Sequence, residues 1–78
     1  MDTVIFEFSG AMKRNFPETR LAITLNSPKT IEAILLELGY TTDDLTYLVY
    51  FVNQQRSDAR VLLHPGDRIK VLPPIGGG

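Results

Sequence analysis

The chain has 78 residues, 44% of them hydrophobic and 22% charged, with a formal net charge of −1 and no cysteine. That length holds a single domain, which buries only about 60 to 65% of its unfolded surface on folding. The composition excludes a disordered chain, the lack of cysteine excludes a disulfide framework or thiolate cluster, and the scattered cations form no basic stripe, which sets nucleic acid aside as the principal partner.

The N-terminus lacks the pattern of a basic stretch, an apolar run and a cleavage site, and the longest apolar runs fall short of a membrane span. A cytoplasmic location with no membrane contact is the expectation. Val4 to Phe8 places Val4, Phe6 and Phe8 on one parity, the period of a strand with one buried face. A polar stretch from Ser9 to Glu18 follows, containing Gly10 and Pro17. Arg20 to Asn26 then alternates again, with Leu21, Ile23 and Leu25 on one face, and the two strands are expected to form a hairpin.

From Thr30 the period changes. Ile31, Ile34, Leu35 and Leu38 form one apolar stripe, with Glu32 and Glu37 off it, which predicts an amphipathic helix. Thr30, or Ser27 with Pro28 behind it, is placed to cap its start, and Gly39 is placed to close its end in the left-handed conformation. Asp43 and Asp44 fall in a polar connection. Tyr47 to Val52 is an unbroken β-branched and aromatic run, predicting either a strand buried on both faces or one with an apolar outer patch open to a partner.

Val61 to Leu63 is a candidate short fourth strand, and Pro65, Gly66 and Asp67 have turn chemistry. Arg68 to Leu72 alternates charged Arg68 and Lys70 with apolar Ile69 and Val71, predicting the last strand. The chain then runs Pro73, Pro74, Ile75, Gly76, Gly77, Gly78. The order of elements predicts an α+β roll, a mixed sheet of four or five strands packed on one main helix.

The helix opening Thr30, Ile31, Glu32, Ala33, the strand exit Val52, Asn53, Gln54, Gln55, the Pro65-Gly66-Asp67 turn and the terminal glycines together resemble the ubiquitin-like β-grasp sulfur carriers. That family includes the molybdopterin synthase small subunit and the thiamine biosynthesis sulfur carrier. The resemblance spans nearly the whole chain and divides it into a β-grasp domain over residues 1–75 and a glycine tail over 76–78. It implies that the Gly78 carboxylate is adenylated by a ubiquitin-activating-type enzyme, becomes a thiocarboxylate, and donates sulfur in a partner's active site, with Gly77 threading beside it. Pro73 and Pro74 resemble the molybdopterin branch, where the partner is the large synthase subunit. Three consecutive glycines are common in the thiamine branch, where it is thiazole synthase. The length of the chain and the long connection after the first strand lean towards molybdopterin, which makes this chain the small subunit of a heteromeric synthase rather than an enzyme by itself.

The tail suits that chemistry. A carboxylate is a poor electrophile and needs activation by ATP. No phosphate loop is present, so ATP belongs to the activating partner and this chain is expected to bind no cofactor. Glycine adds no side chain to obstruct a channel, while Pro73 and Pro74 favour an extended spacer. Ordering the tip costs roughly 1 to 2 kcal/mol per residue, so the domain itself must supply docking affinity. The outer faces of Tyr47–Val52 and Arg68–Leu72 are the candidates: Phe51, Arg68 and Lys70, beside the tail residues Pro73, Pro74, Ile75 and Gly76. For Arg68 and Lys70 a solvated strand face is the simpler account, and steering of an acidic partner the alternative.

Other polar residues carry less. His64 is the one histidine and has no Cys neighbour, so it reads as a surface residue at a turn. Asp43 and Asp44 read as solvated or turn-capping carboxylates, and Ser9 has no identifiable base. Two alternatives to the carrier share the same residues: a protein modifier joining Gly78 to a target lysine, and a β-grasp module that binds partners noncovalently.

Overall fold

A computed structural model describes residues 2–9 and 18–73 of the chain. Its strands are Thr3–Phe8 (β1), Arg20–Thr24 (β2), Val49–Val52 (β3), Gln55–Ser57 (β4) and Arg68–Leu72 (β5), and its helices are Ile31–Glu37 (α1) and Thr42–Tyr47 (α2). The strands form one sheet in the order β2-β1-β5-β3-β4. The central pair β1 and β5 is parallel, and every other pair is antiparallel. This is the expected α+β architecture.

The alternation in β1 acts as predicted: Val4, Phe6 and Phe8 are buried, and with Ile69 and Val71 of β5 they meet Ile31, Ile34 and Leu35 of α1. Phe8 stacks on Phe6 and on Tyr40, with ring centroids 6.1 and 6.2 Å apart. Thr30, rather than Ser27, caps α1, its hydroxyl accepting from Ala33 N at 3.1 Å. Gly39, at φ 100°, closes the helix. Gly39 N and Tyr40 N donate to Leu36 O and Leu35 O, each at 3.1 Å, and this reversal delivers the Tyr40 ring to the core.

Three expectations are corrected. Asp43 and Asp44 lie in α2, not in an irregular connection, because Thr41 and Asp44 form a reciprocal capping box that starts a helix there. Tyr47 ends α2 and is 67% exposed, so the third strand begins at Val49. The fourth strand is Gln55–Ser57, whereas Leu62 makes only an isolated bridge to Thr30. β4 is polar and lies at the sheet edge, so no apolar alternation announces it.

Tyr50, 4% exposed, donates its hydroxyl to Leu45 O at 2.8 Å and ties β3 to α2. Burial, aided by the Glu32 carboxylate, pushes this hydroxyl from 10.0 up to about 12. The unfolded tyrosine loses its proton near 10 while the native one keeps it, so stability falls as pH rises from about 10 to about 12. Tyr50→Phe is expected to remove that alkaline loss and to cost about 1 to 3 kcal/mol at neutral pH, where Leu45 O loses its donor. Urea melts at pH 7 and pH 11 check both effects; an unchanged alkaline slope in the variant would assign it to another group.

Candidate functional site

The helices cover one face of the sheet, and among the described residues no element covers the other. On β5, Ile69 and Val71 point into the core, so Arg68 and Lys70 stand exposed on the open face. On β3 the inward residues are Tyr50 and Val52, paired with Val71 and Ile69, which turns Phe51 outward opposite Lys70. Phe51 is half-buried. The run divides between the two readings: Val49 and Tyr50, on opposite faces, are both buried, whereas Phe51 leaves a half-buried apolar ring on the outer face.

Phe51, Arg68 and Lys70, the three docking residues expected on the domain, therefore share one surface. They line a shallow depression of about 580 Å³ with Leu72, Gln54 and Glu7. Leu72 continues the outward parity of Arg68 and Lys70 on β5, whereas Gln54 and Glu7 escape sequence reading because the β3–β4 turn and the strand register, not spacing along the chain, bring them there: Glu7 of β1 pairs with Lys70 of β5.

The rim of this depression is fixed by the turn between β3 and β4. Asn53 and Gln54 both have positive φ, 51° and 73°, the geometry of a two-residue hairpin turn that follows the strand twist. Asn53 is committed on both ends: its Oδ1 accepts from Arg68 N at 3.0 Å, and its Nδ2 donates to Asp67 Oδ1 at 2.9 Å. Asp67 in turn accepts from His64 N through Oδ2 at 2.8 Å, across the turn that Gly66 completes at φ 89°. This ties the turn to the first residue of β5, so the rim is held by the Asn53 and Asp67 side chains. His64 is an exposed residue of that turn, its Nδ1 3.9 Å from Asp67 Oδ2.

The far end of β5 leads to the tail. Leu72 pairs with Val49, Ser9 N donates to Val71 O at 3.0 Å, and the half-buried Pro73 follows directly. β5 lies in the middle of the sheet, so the segment after it leaves from between β1 and β3. The expected tail residues Pro74, Ile75, Gly76, Gly77 and Gly78 lie outside the described residues. Six residues, 73 to 78, span at most about 20 Å when extended.

A five-stranded mixed sheet with a parallel central pair, gripping a helix on one face and ending on its middle strand, defines a ubiquitin-like β-grasp protein. The model of the ThiS family matches residues 11–78, and the chain belongs to this family of ubiquitin-like sulfur carriers. No curated protein matches the chain. Proteins of this family are small protein substrates rather than enzymes; they carry sulfur in biosynthesis and work with adenylating enzymes and synthase partners. Among the described residues no helix is long and apolar enough to cross a membrane.

Proposed function

We propose that this chain carries sulfur as a thiocarboxylate on Gly78. An adenylating partner joins the Gly78 carboxylate to AMP and releases pyrophosphate from ATP. A sulfur nucleophile then displaces AMP, and one carboxylate oxygen leaves with it. The observation that carries this reading is that the family match runs through Gly78, so the tail belongs with the domain that presents it. The central position of β5 supports it, since the most deeply anchored strand leads into the tail.

Molybdopterin is the favoured destination, with the large synthase subunit as the receiving partner and two thiocarboxylates consumed for each dithiolene formed. Pro73 and Pro74, and the long connection between Phe8 and Arg20, support it over thiazole synthesis.

The test is incubation of the protein with ATP, a sulfide source and candidate adenylating enzymes, followed by intact mass measurement. The expected product has one oxygen replaced by sulfur, confined to the C-terminal peptide. Because the chain has no cysteine, a thiol-reactive label gives a second readout with no background from side chains. The enzyme that succeeds indicates the pathway. No shift with any of them would reject the carrier chemistry for Gly78.

A further inference from the structure

We infer that the open sheet face recognises an acidic protein surface, one that presents carboxylates around an apolar socket for Phe51. The inference rests on the carrier reading and names the chemistry of the surface that receives the domain. Strand register sets one row across all five strands: Arg20 of β2, Glu7 of β1, Lys70 of β5, Phe51 of β3 and Arg56 of β4. Arg68 stands in the neighbouring row, opposite Ile5. Four cations and one carboxylate thus share a face with a half-buried aromatic ring, flanked directly by Lys70 and Arg56, on a chain whose net charge is −1.

The opposite side is acidic. Glu32 and Glu37 lie on α1, and Asp43 and Asp44 on α2, with Lys29 already paired to Glu37 at 2.7 Å. Among the described residues the charge is therefore two-sided, although the chain's total conceals it. Among the described residues, none of the four cations on the sheet face makes an ion pair. Their charge is available to a partner. Lys70 and Arg68 are two residues apart on one strand, about 6.6 Å, so a carboxylate set between them relieves their mutual repulsion.

Exposed charges of this kind raise association rates more than they lengthen residence. That suits a carrier that must bind one protein to be loaded and leave it to be unloaded at another. The half-buried Phe51, flanked by Lys70 and Arg56, supplies the apolar contact. Glu7, set between Arg20 and Lys70, and Phe51, set between Lys70 and Arg56, both interrupt the cationic row, which favours a protein surface over a nucleic acid backbone.

Two measurements test the inference. The first is an NMR titration of the isotopically labelled chain with poly-L-glutamate at low salt. Shifts are expected at Phe51, Arg68 and Lys70 and not on α1 or α2, fading as salt shortens the Debye length from about 10 Å at 0.1 M to about 3 Å at 1 M. A tighter response to a single-stranded oligonucleotide, or no localised response to poly-L-glutamate, would overturn it.

The second uses the adenylating enzyme that loads the wild-type chain. Arg68→Glu combined with Lys70→Glu is expected to raise KM about 10-fold or more at low salt with kcat unchanged. The neutral pair Arg68→Gln with Lys70→Gln should give an intermediate effect, and Arg60→Glu, remote from the face, should give none. Unchanged KM in the reversed variant would reject the acidic partner while leaving the thiocarboxylate chemistry intact; failure of the wild-type chain to load would reject that chemistry instead. Sedimentation of the chain alone is expected to show a monomer. A dimer abolished by the charge reversal would mean that the sheet face binds the acidic helices of a second copy.

Discussion

Removing Gly77 and Gly78 is expected to abolish sulfur loading while leaving the thermal midpoint within about 2 °C of the full chain. The buried hydrophobic residues run from Val4 to Val71, so the deletion takes nothing from the described core. The chemistry at the new end is hardly altered, because Gly76 presents the same carboxylate on the same residue type. What changes is reach. Two residues shorten an extended tail by about 7 Å, whereas reacting atoms must come within about 3 to 3.5 Å and misplacement by about 1 Å already costs 100-fold. The truncated chain keeps Phe51, Arg68 and Lys70, so it should also compete with full-length protein for the adenylating enzyme. Mass measurement after loading, a thermal melt and a competition assay check the three parts. Loading of the truncated chain would sink the idea that Gly78 is the reactive end.

The elements that sequence reading placed correctly are those with one wet face and one dry face. Val4, Phe6 and Phe8 reveal β1 because burial on one side imposes a period of two, and Ile31, Ile34 and Leu35 reveal α1 by the helical period. Where no such contrast exists the reading fails. Gln55, Arg56 and Ser57 make an edge strand by pairing their backbone with β3, and their side chains record nothing of it. Asn53 was the one signal, since asparagine tolerates the positive φ that a two-residue turn requires, whereas Gln54 takes its φ of 73° without any residue preference for it. Tyr47 misleads in the other sense: it is apolar and adjoins a strand, yet the capping box upstream commits it to α2.

The candidate site was legible in part for the same reason. Arg68 and Lys70 declare an outer face by alternating with Ile69 and Val71. Which residues lie beside them on other strands depends on register, and the parallel pairing of β1 with β5 joins residues more than sixty positions apart in the chain. Glu7 and Arg20 were therefore out of reach of any local pattern, and so was the electrical two-sidedness that they help to define.

Phe6→Ala is expected to destabilise the domain by about 3 to 5 kcal/mol, the largest effect on stability among the substitutions considered. Phe6 is fully buried, sits on a central strand between its register partners Leu21 and Ile69, and stacks on Phe8. Its loss leaves a void that strands held on both sides cannot close. A chain of this length has roughly 4 to 12 kcal/mol of stability in total, and without cysteine it has no disulfide to hold it together. The thermal midpoint should fall by at least about 12 °C, at about 4 to 8 °C for each kcal/mol. Phe51→Ala, on the half-exposed outer face, should cost about 1 kcal/mol or less, so the comparison separates core from surface within one residue type. Circular dichroism melts of both variants decide it: a loss below about 1.5 kcal/mol at Phe6 would mean that β1 and β5 move to fill the space. Since β5 leads into the tail, sulfur loading of Phe6→Ala should fall in step with the folded fraction and recover on cooling below its midpoint. The truncated chain should fail to load at every temperature while fully folded, which distinguishes loss of the scaffold from loss of the reactive end.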